Sequence, residues 1–175
     1  MTAAVLNTRI FDPHRQLSNP ARITAAGLSK ISNVNDDGAY RFLRWDTSDE
    51  FGGWVTNDFQ AFAAPASGYY FLTANFTALS PKDTSNRPAL RFVAVSQTPQ
   101  GEVELLRSYN STIVPNTYIT CQLRGLVYLD KGNKLALKAN VPAGTGPWEV
   151  SPGSRNSSQL NSFGAILISP NANRP

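Results

Sequence analysis

Residues 59–76 read FQAFAAPASGYYFLTANF, and this stretch contains the pattern that decides the fold. A short apolar run ends in the turn sequence PASG, after which side chains alternate between two sets. Tyr70 and Leu72 belong to one set, and Tyr69 and Phe71 belong to the other. A strand that is apolar on both faces is covered on both faces. We therefore predict that this strand lies deepest in the protein.

The same two-residue period recurs along the chain, whereas no segment of helical length shows a 3.6-residue apolar repeat. With 12 Gly and 12 Pro, turns are frequent. The predicted strands cover residues 21–29, 40–45, 59–62, 69–78, 90–95, 103–109, 118–129, 135–141 and 163–168. Residues 46–53 and 142–158 are predicted to be loops. Eight to ten short strands in one chain predict an all-β sandwich, barrel or jelly roll.

The chain ends differ from this pattern. Residues 1–20 show little alternation and predict an extended arm, residues 21–169 form the β domain, and residues 170–175 are a polar tail. The N-terminus lacks the apolar core of a signal peptide, and no stretch has the length of a membrane span. We therefore expect a complete chain that is made in a cytoplasm and has no membrane partner.

Composition argues against several functional classes. Only 16% of the residues are charged, and the net charge of +4 comes from scattered Arg and Lys without a basic cluster. Nucleic-acid binding requires a basic stripe or patch, so we do not expect a nucleic-acid partner. The single cysteine, Cys121, excludes an intrachain disulfide and is predicted to be a small buried side chain.

Three segments, in order, resemble the globular head of complement first-component subcomponent q, in the tumour-necrosis-factor-like jelly-roll superfamily. They are residues 59–71, with Phe, Pro, Gly and Tyr-Tyr-Phe; residues 126–137, with a strand-turn-strand around Gly132; and residues 161–168, with Asn-Ser-Phe-Gly. In the last segment the Gly follows the Phe one residue earlier than usual. The resemblance implies a ten-strand jelly roll, a compact trimer and no shared catalytic residues.

A trimer also suits the distribution of apolar residues, since 9 Phe, 6 Tyr and 3 Trp exceed what one sandwich interior needs. Closed cyclic symmetry is the usual way to bury such an extra face. We predict that Tyr70, Tyr128 and Phe163 lie at the trimer interface.

Catalytic and metal sites find little support in the sequence. His14 is the only histidine and lies in the predicted arm, and zinc sites need several His or Cys ligands. Asp46, Asp49 and Glu50 could ligate calcium from one loop, but a solvated loop is the simpler interpretation. We predict no catalytic residues, no metal and no cofactor.

The loop after residue 141 holds the candidate ligand-binding residues Trp148, Arg155 and Asn156. A Trp beside Gly and Pro can stack on a sugar or anchor a protein contact. It can equally fold back and cap the sandwich. The first interpretation makes this loop the exposed, ligand-contacting element.

The leading functional hypothesis is a non-enzymatic, trimeric structural protein of a bacteriophage virion, made in the host cytoplasm. Within it, a capsid decoration (cement) protein would use the arm to bind the major capsid protein. The alternatives are a tail-fibre or receptor-binding tip that recognises host surface glycan, and a secreted or spore-surface binding module.

Overall fold

The computed structural model describes residues 19–29, 33–83, 88–151 and 161–170. The predicted arm up to residue 18, Arg155, Asn156 and the tail from residue 171 lie outside this part of the chain. The described residues form twelve strands: β1 Arg22–Ala26, β2 Asn33–Val34, β3 Arg41–Phe42, β4 Thr47–Phe51, β5 Ala61–Ala63, β6 Gly68–Leu79, β7 Ala89–Thr98, β8 Gly101–Ser111, β9 Tyr118–Leu129, β10 Lys134–Asn140, β11 Trp148–Val150 and β12 Ser162–Pro170.

Seven strands form the first sheet, called here the inner sheet. Its main body runs β4-β1-β12-β6-β9, and every neighbouring pair is antiparallel. Strand β6 pairs with β9 along its whole length, whereas β12 covers only the first part of its other edge. Further along that edge β11 pairs with Ala78 and Leu79, and β2 pairs with β11.

The other five strands form the outer sheet. Its path is β10-β7-β8, and both β3 and β5 pair with the free edge of β10 at different points along it. Because β7 and β8 are joined by a tight turn at Gly101, they form a long hairpin that ends the sheet. The two sheets enclose one hydrophobic core.

The alternation seen in the sequence explains this core. Leu135, Leu137, Ala139 and Val141 recur at every second position of the strand predicted over residues 135–141, and all four are completely buried. From the inner sheet, Phe163 packs between two aromatic rings, with ring centroids 5.1 Å from Trp45 and 5.1 Å from Phe62. Such aromatic contacts add stability beyond the buried area alone.

Two predicted loops contain strands instead. Residues 46–53 include β4, which pairs with β1 in register from Thr47 to Phe51. Among the described strands, β4 pairs only with β1, and it carries exposed polar side chains, so it lacks the apolar alternation that reveals a strand. Within residues 142–158, the three-residue strand β11 is hidden among Gly and Pro.

The side chain of Asn161 bridges a gap in the inner sheet. Its Oδ1 accepts a hydrogen bond from the Thr77 N–H at 2.7 Å, and its Nδ2 donates to the Ser151 carbonyl at 2.6 Å. Asn161 is 1% exposed, and it lies where the edge of β6 changes partner from β12 to β11. It therefore supplies ladder hydrogen bonds that neither strand supplies there.

The chain ends and the β8–β9 hairpin lie at opposite ends of the sandwich. The first residues of β1 and the last residues of β12 lie at the same end, where the Leu167 N–H donates to the Ala21 carbonyl at 2.9 Å. At the opposite end, the hairpin between β8 and β9 lies beside the end of β6, since Leu79 pairs with Tyr118. The described chain thus enters and leaves at one end, together with the turns before β6, after β7 and after β9, and the β8–β9 hairpin loop lies at the other end.

Candidate functional site

The outward face of the inner sheet is the most prominent candidate site. In β6, Tyr70, Leu72, Ala74 and Phe76 point into the sandwich and are at most 1% exposed. The alternate residues point outward, and their antiparallel partners on β9 lie on the same side. Because a single chain only partly covers this face, its large apolar side chains remain available for a further contact.

Four residues form a continuous apolar ridge on this face: Tyr69, Phe71, Leu126 and Tyr128. Tyr69 is paired with Tyr128, their rings meeting edge to face with centroids 5.4 Å apart, and Phe71 is paired with Leu126. Leu126 is 61% exposed. The guanidinium of Arg124 lies 5.5 Å from the centroid of the Phe71 ring, so one cation borders the ridge.

A shallow basin lies on the same face, towards β1 and β4. Its volume is about 470 Å³. Most of the lining residues are small or carry a hydroxyl group, among them Thr24, Thr47, Thr73 and Gly164, and Asp49 and Phe163 also line the basin. The face therefore has an apolar ridge bordered by a guanidinium, and a basin that contains a carboxylate.

A second cavity of about 310 Å³ opens at the seam between β8 and β9. Val103 and Leu105 line it from the outer sheet, and Leu126 and Tyr128 line it from the inner sheet. The apolar ridge thus continues around the edge of the sandwich into this groove.

The three predicted interface residues do not share one location. Tyr128 lies on the ridge, whereas Tyr70 is 0% exposed and Phe163 is 3% exposed inside the sandwich of a single chain. Placing Tyr70 and Phe163 at the interface was wrong, because each is one residue out of phase with the outward set. A shift of one residue moves a strand side chain to the opposite face.

Trp148 is not an exposed ligand contact. It begins β11, is 0% exposed and belongs to the hydrophobic core. The interpretation in which this Trp caps the sandwich is therefore correct, and its selection as a surface residue was wrong. Arg155 and Asn156 lie outside the described residues. Sequence reasoning missed Tyr69, Phe71 and Leu126, although the double alternation in β6 already marked the outward face.

Two of the three acidic residues considered for calcium, Asp46 and Glu50, accept hydrogen bonds from serine side chains. Asp46 accepts hydrogen bonds from the Ser29 N–H at 2.9 Å and the Ser29 hydroxyl at 2.8 Å. Ser48 donates to Glu50 within β4 at 2.7 Å. In the part of the chain that the structure describes, no three His, Cys, Asp or Glu residues are grouped to hold a metal ion.

Two buried groups have raised pKa values. Burial raises the pKa of Cys121 to about 11, so its thiol is protonated at neutral pH and it is the buried small side chain predicted from the sequence. Burial also raises the pKa of Tyr70 to about 12, although its hydroxyl donates to the Ala66 carbonyl at 2.7 Å. Both groups are core elements and lack access to a ligand.

Comparison with solved structures identifies the fold. Murine APRIL superimposes with a TM-score of 0.60 at 14% sequence identity, over 85% of this chain and 98% of that chain. The Eiger TNF structure from S. frugiperda gives a TM-score of 0.64 at 15% identity, over 89% of this chain and 97% of that chain. The chain has the tumour-necrosis-factor-like jelly-roll fold, which confirms the predicted fold class.

Sequence comparisons add no family. No protein-family model matches the chain, and no curated protein matches it. The closer resemblance to the complement head domain stays a prediction. Across the described ranges, no helix has the length and apolar character needed to cross a membrane. The outward face of the inner sheet is suited to non-covalent binding, because it presents apolar area, aromatic ring edges and one charge of each sign.

Proposed function

We propose that the protein is a non-enzymatic homotrimeric binding module, assembled through the outward face of the inner sheet. The observation that carries the proposal is the apolar ridge, whose Leu126 is 61% exposed in a single chain. Burying a side chain of this size stabilises a contact by about 1.5–3 kcal/mol. The resemblance to a trimer-forming superfamily supports the same assembly.

The separate positions of the ridge and the basin on this face favour a cyclic trimer over a two-fold dimer. Ridge and basin occupy different parts of one surface, so the ridge of one copy can enter the basin of the next. Such head-to-tail contacts close into a ring when the rotation permits. In that ring Arg124 of each ridge would meet Asp49 of the adjacent basin, which gives the contact a defined direction.

Light scattering on the full chain tests the assembly. We expect three times the 19.0 kDa chain mass at micromolar concentration. Leu126→Asp places a carboxylate in the ridge and is expected to give a monomer with unchanged far-UV circular dichroism. Val55→Asp is the matched control, since Val55 is 57% exposed but lies outside the ridge. A monomeric wild type, or a trimeric Leu126→Asp variant, would contradict the proposal.

In its finer form, the proposal is a bacteriophage virion protein, specifically a capsid decoration protein held by residues 1–20. Two observations support a display role: both described chain ends lie at one end of the sandwich, and the hairpin loop between β8 and β9 lies at the other. Attachment through the arm would direct this hairpin loop away from the particle. The tail-fibre alternative loses its candidate sugar-stacking residue, because Trp148 is buried.

Incorporation into particles tests this finer proposal. Virions produced in cells that express either the full chain or a chain beginning at Asn19 would be purified and assayed for bound protein. We expect the shortened chain to remain trimeric but to be absent from particles. Equal incorporation of both chains would refute attachment by the arm while leaving the trimer proposal intact.

A further inference from the structure

The hairpin between β8 and β9 exposes an apolar tip, made of Tyr109, Ile113, Val114 and Pro115. Ile113 is 73% exposed, Val114 is 53% exposed and Tyr109 is 58% exposed. Tyr118 is also exposed, but it belongs to the outward face of the inner sheet, which the proposed trimer uses. The tip is separate from that face and lies at the end of the sandwich opposite the described chain ends.

Hydrogen bonds to Ser80, at the end of β6, fix the backbone of the tip. The Ser80 hydroxyl donates to the Val114 carbonyl at 3.2 Å and accepts from the Thr117 N–H at 3.0 Å. The Val114 N–H donates to the Thr112 hydroxyl at 2.9 Å, and the Asn116 N–H donates to the Pro81 carbonyl at 3.1 Å. The N–H groups of Val114, Asn116 and Thr117 and the Val114 carbonyl therefore have partners within the protein.

Internal hydrogen bonding matters because it removes the main cost of entering an apolar medium. A peptide group without a partner costs several kcal/mol when it leaves water for hydrocarbon. Exposed loops normally rely on water for these bonds, whereas this tip would lose little by leaving water. Its large apolar side chains gain by the same transfer.

The charge pattern points in the same direction. Residues 108–123 contain no Asp, Glu, Lys or Arg, and the charged residues that bound this stretch are Arg107 and Arg124. Lys82 and Asp83, from the neighbouring loop, have opposite charges. Within residues 108–123, therefore, no acid has to be desolvated and none repels phosphate headgroups on contact with a lipid surface, and the two flanking charges are cationic.

We propose that this tip is a lipid-contact element that inserts Ile113 and Val114 into the interfacial layer of a bilayer. Tyr109 lies farther back on β8, at the level where aromatic side chains with a polar end are favoured. One tip buries little area and binds weakly, but a trimer presents three tips on one rim, which multiplies the apparent affinity. Only this multiplication rests on the proposed trimer.

Co-sedimentation with phosphatidylcholine vesicles tests the proposal, with a second vesicle set containing phosphatidylglycerol. We expect the full chain to bind both sets. The double variant Ile113→Asp/Val114→Asp is expected to lose at least tenfold in partitioning, because each carboxylate must be desolvated. Val55→Asp/Gln100→Asp is the matched control, because it adds two carboxylates at exposed positions outside the tip and outside the ridge, and it is expected to partition as the wild type does.

A fluorescence variant reports insertion directly. Trp45, Trp54 and Trp148 are at most 4% exposed, so they respond little to added vesicles. Ile113→Trp places an indole at the tip, and its emission is expected to shift to shorter wavelength when vesicles are added. The double variant Ile113→Trp/Leu126→Asp, which is expected to be monomeric, should show the same shift at higher lipid concentration.

Four results would overturn the proposal. The first is a wild-type chain that does not sediment with either vesicle set. The second is binding that requires phosphatidylglycerol and disappears in high salt, because net charge and not the tip would then explain it. The third is equal loss in tip and control variants. If the tip variant instead loses a protein partner and retains vesicle binding, the tip is a protein-docking site and the proposal is wrong.

Discussion

Asn161→Ala would remove two hydrogen bonds from the gap in the inner sheet and leave the strands otherwise unchanged. The Thr77 N–H would lose its acceptor at 2.7 Å and the Ser151 carbonyl its donor at 2.6 Å. Because both main-chain groups are in buried surroundings, water cannot easily replace the amide. We expect this single truncation to destabilise the fold more than its small change in volume suggests.

The magnitude follows from the cost of leaving a buried polar group without its partner, about 1–3 kcal/mol each. Two groups are affected, so the free energy of unfolding should fall by about 2–6 kcal/mol. At about 3 °C per kcal/mol for a chain of this length, that corresponds to roughly 6–18 °C in Tm. Asn161→Asp keeps an oxygen towards Thr77 but turns a second oxygen towards the Ser151 carbonyl, so we expect an equal or larger loss at neutral pH.

Urea unfolding at one fixed protein concentration measures these differences, since assembly would make stability concentration-dependent. Asn33→Ala is the control, because Asn33 is exposed in β2 and its truncation should change stability by less than about 0.5 kcal/mol. If Asn161→Ala also stays within about 0.5 kcal/mol of wild type, the side chain does not substitute for the missing ladder bonds. A fully stable Asn161→Asp variant would refute the donor bond to Ser151.

Three further predictions concern glycine, tyrosine and cysteine. Gly52→Ala should destabilise the fold more than Gly132→Ala in urea unfolding: both have positive φ (81° and 85°), but only at Gly52 would a Cβ meet a neighbour, Ala21, at 2.7 Å. If the two variants lost the same stability, the backbone at Ala21 would have to move easily to accommodate the added Cβ. The raised Tyr70 pKa favours the protonated phenol in the folded state, so its contribution to stability is full below about pH 10 and is lost by about pH 12. Tyr70→Phe should weaken the decline in stability over that window, and unchanged pH dependence would count against the burial argument. Finally, Cys121 should react with a thiol reagent at pH 8 far more slowly in the folded chain than in urea, and comparable rates would mean that the thiol is accessible.

The fold was predictable where a single pattern had one interpretation. Leu135 and Leu137 alternate with polar or small residues after a tight turn, and this pattern occurs in few structures other than a half-buried strand. Strand β4 was missed because its edge position and exposed polar side chains remove that signal. A short edge strand of this kind can be identified only from the strand with which it pairs, and a local stretch of sequence does not show that pairing.

The site was harder to predict because β6 is apolar on both faces. Either Tyr70 or Tyr69 could have faced the sandwich interior, and the sequence alone contains no reference that fixes the phase. Phe163 has the same ambiguity in β12. Trp148 shows a different difficulty, since a Trp between Gly and Pro can turn inward or outward, and only the pairing of β11 with β2 and β6 settles its direction. Asn161 gave no local indication of its role.

The position of β1 also determines when the protein can fold during synthesis. This strand is near the beginning of the chain, yet it pairs with β12 and lies between β12 and β4. Until β12 has left the ribosome, the inner sheet lacks the strand that joins β1 to β6, and both strands present open edges. Structures dominated by such distant pairings fold on the millisecond-to-second scale. Newly made chains are therefore expected to depend on chaperone protection until translation ends, and a truncated product without β12 should aggregate.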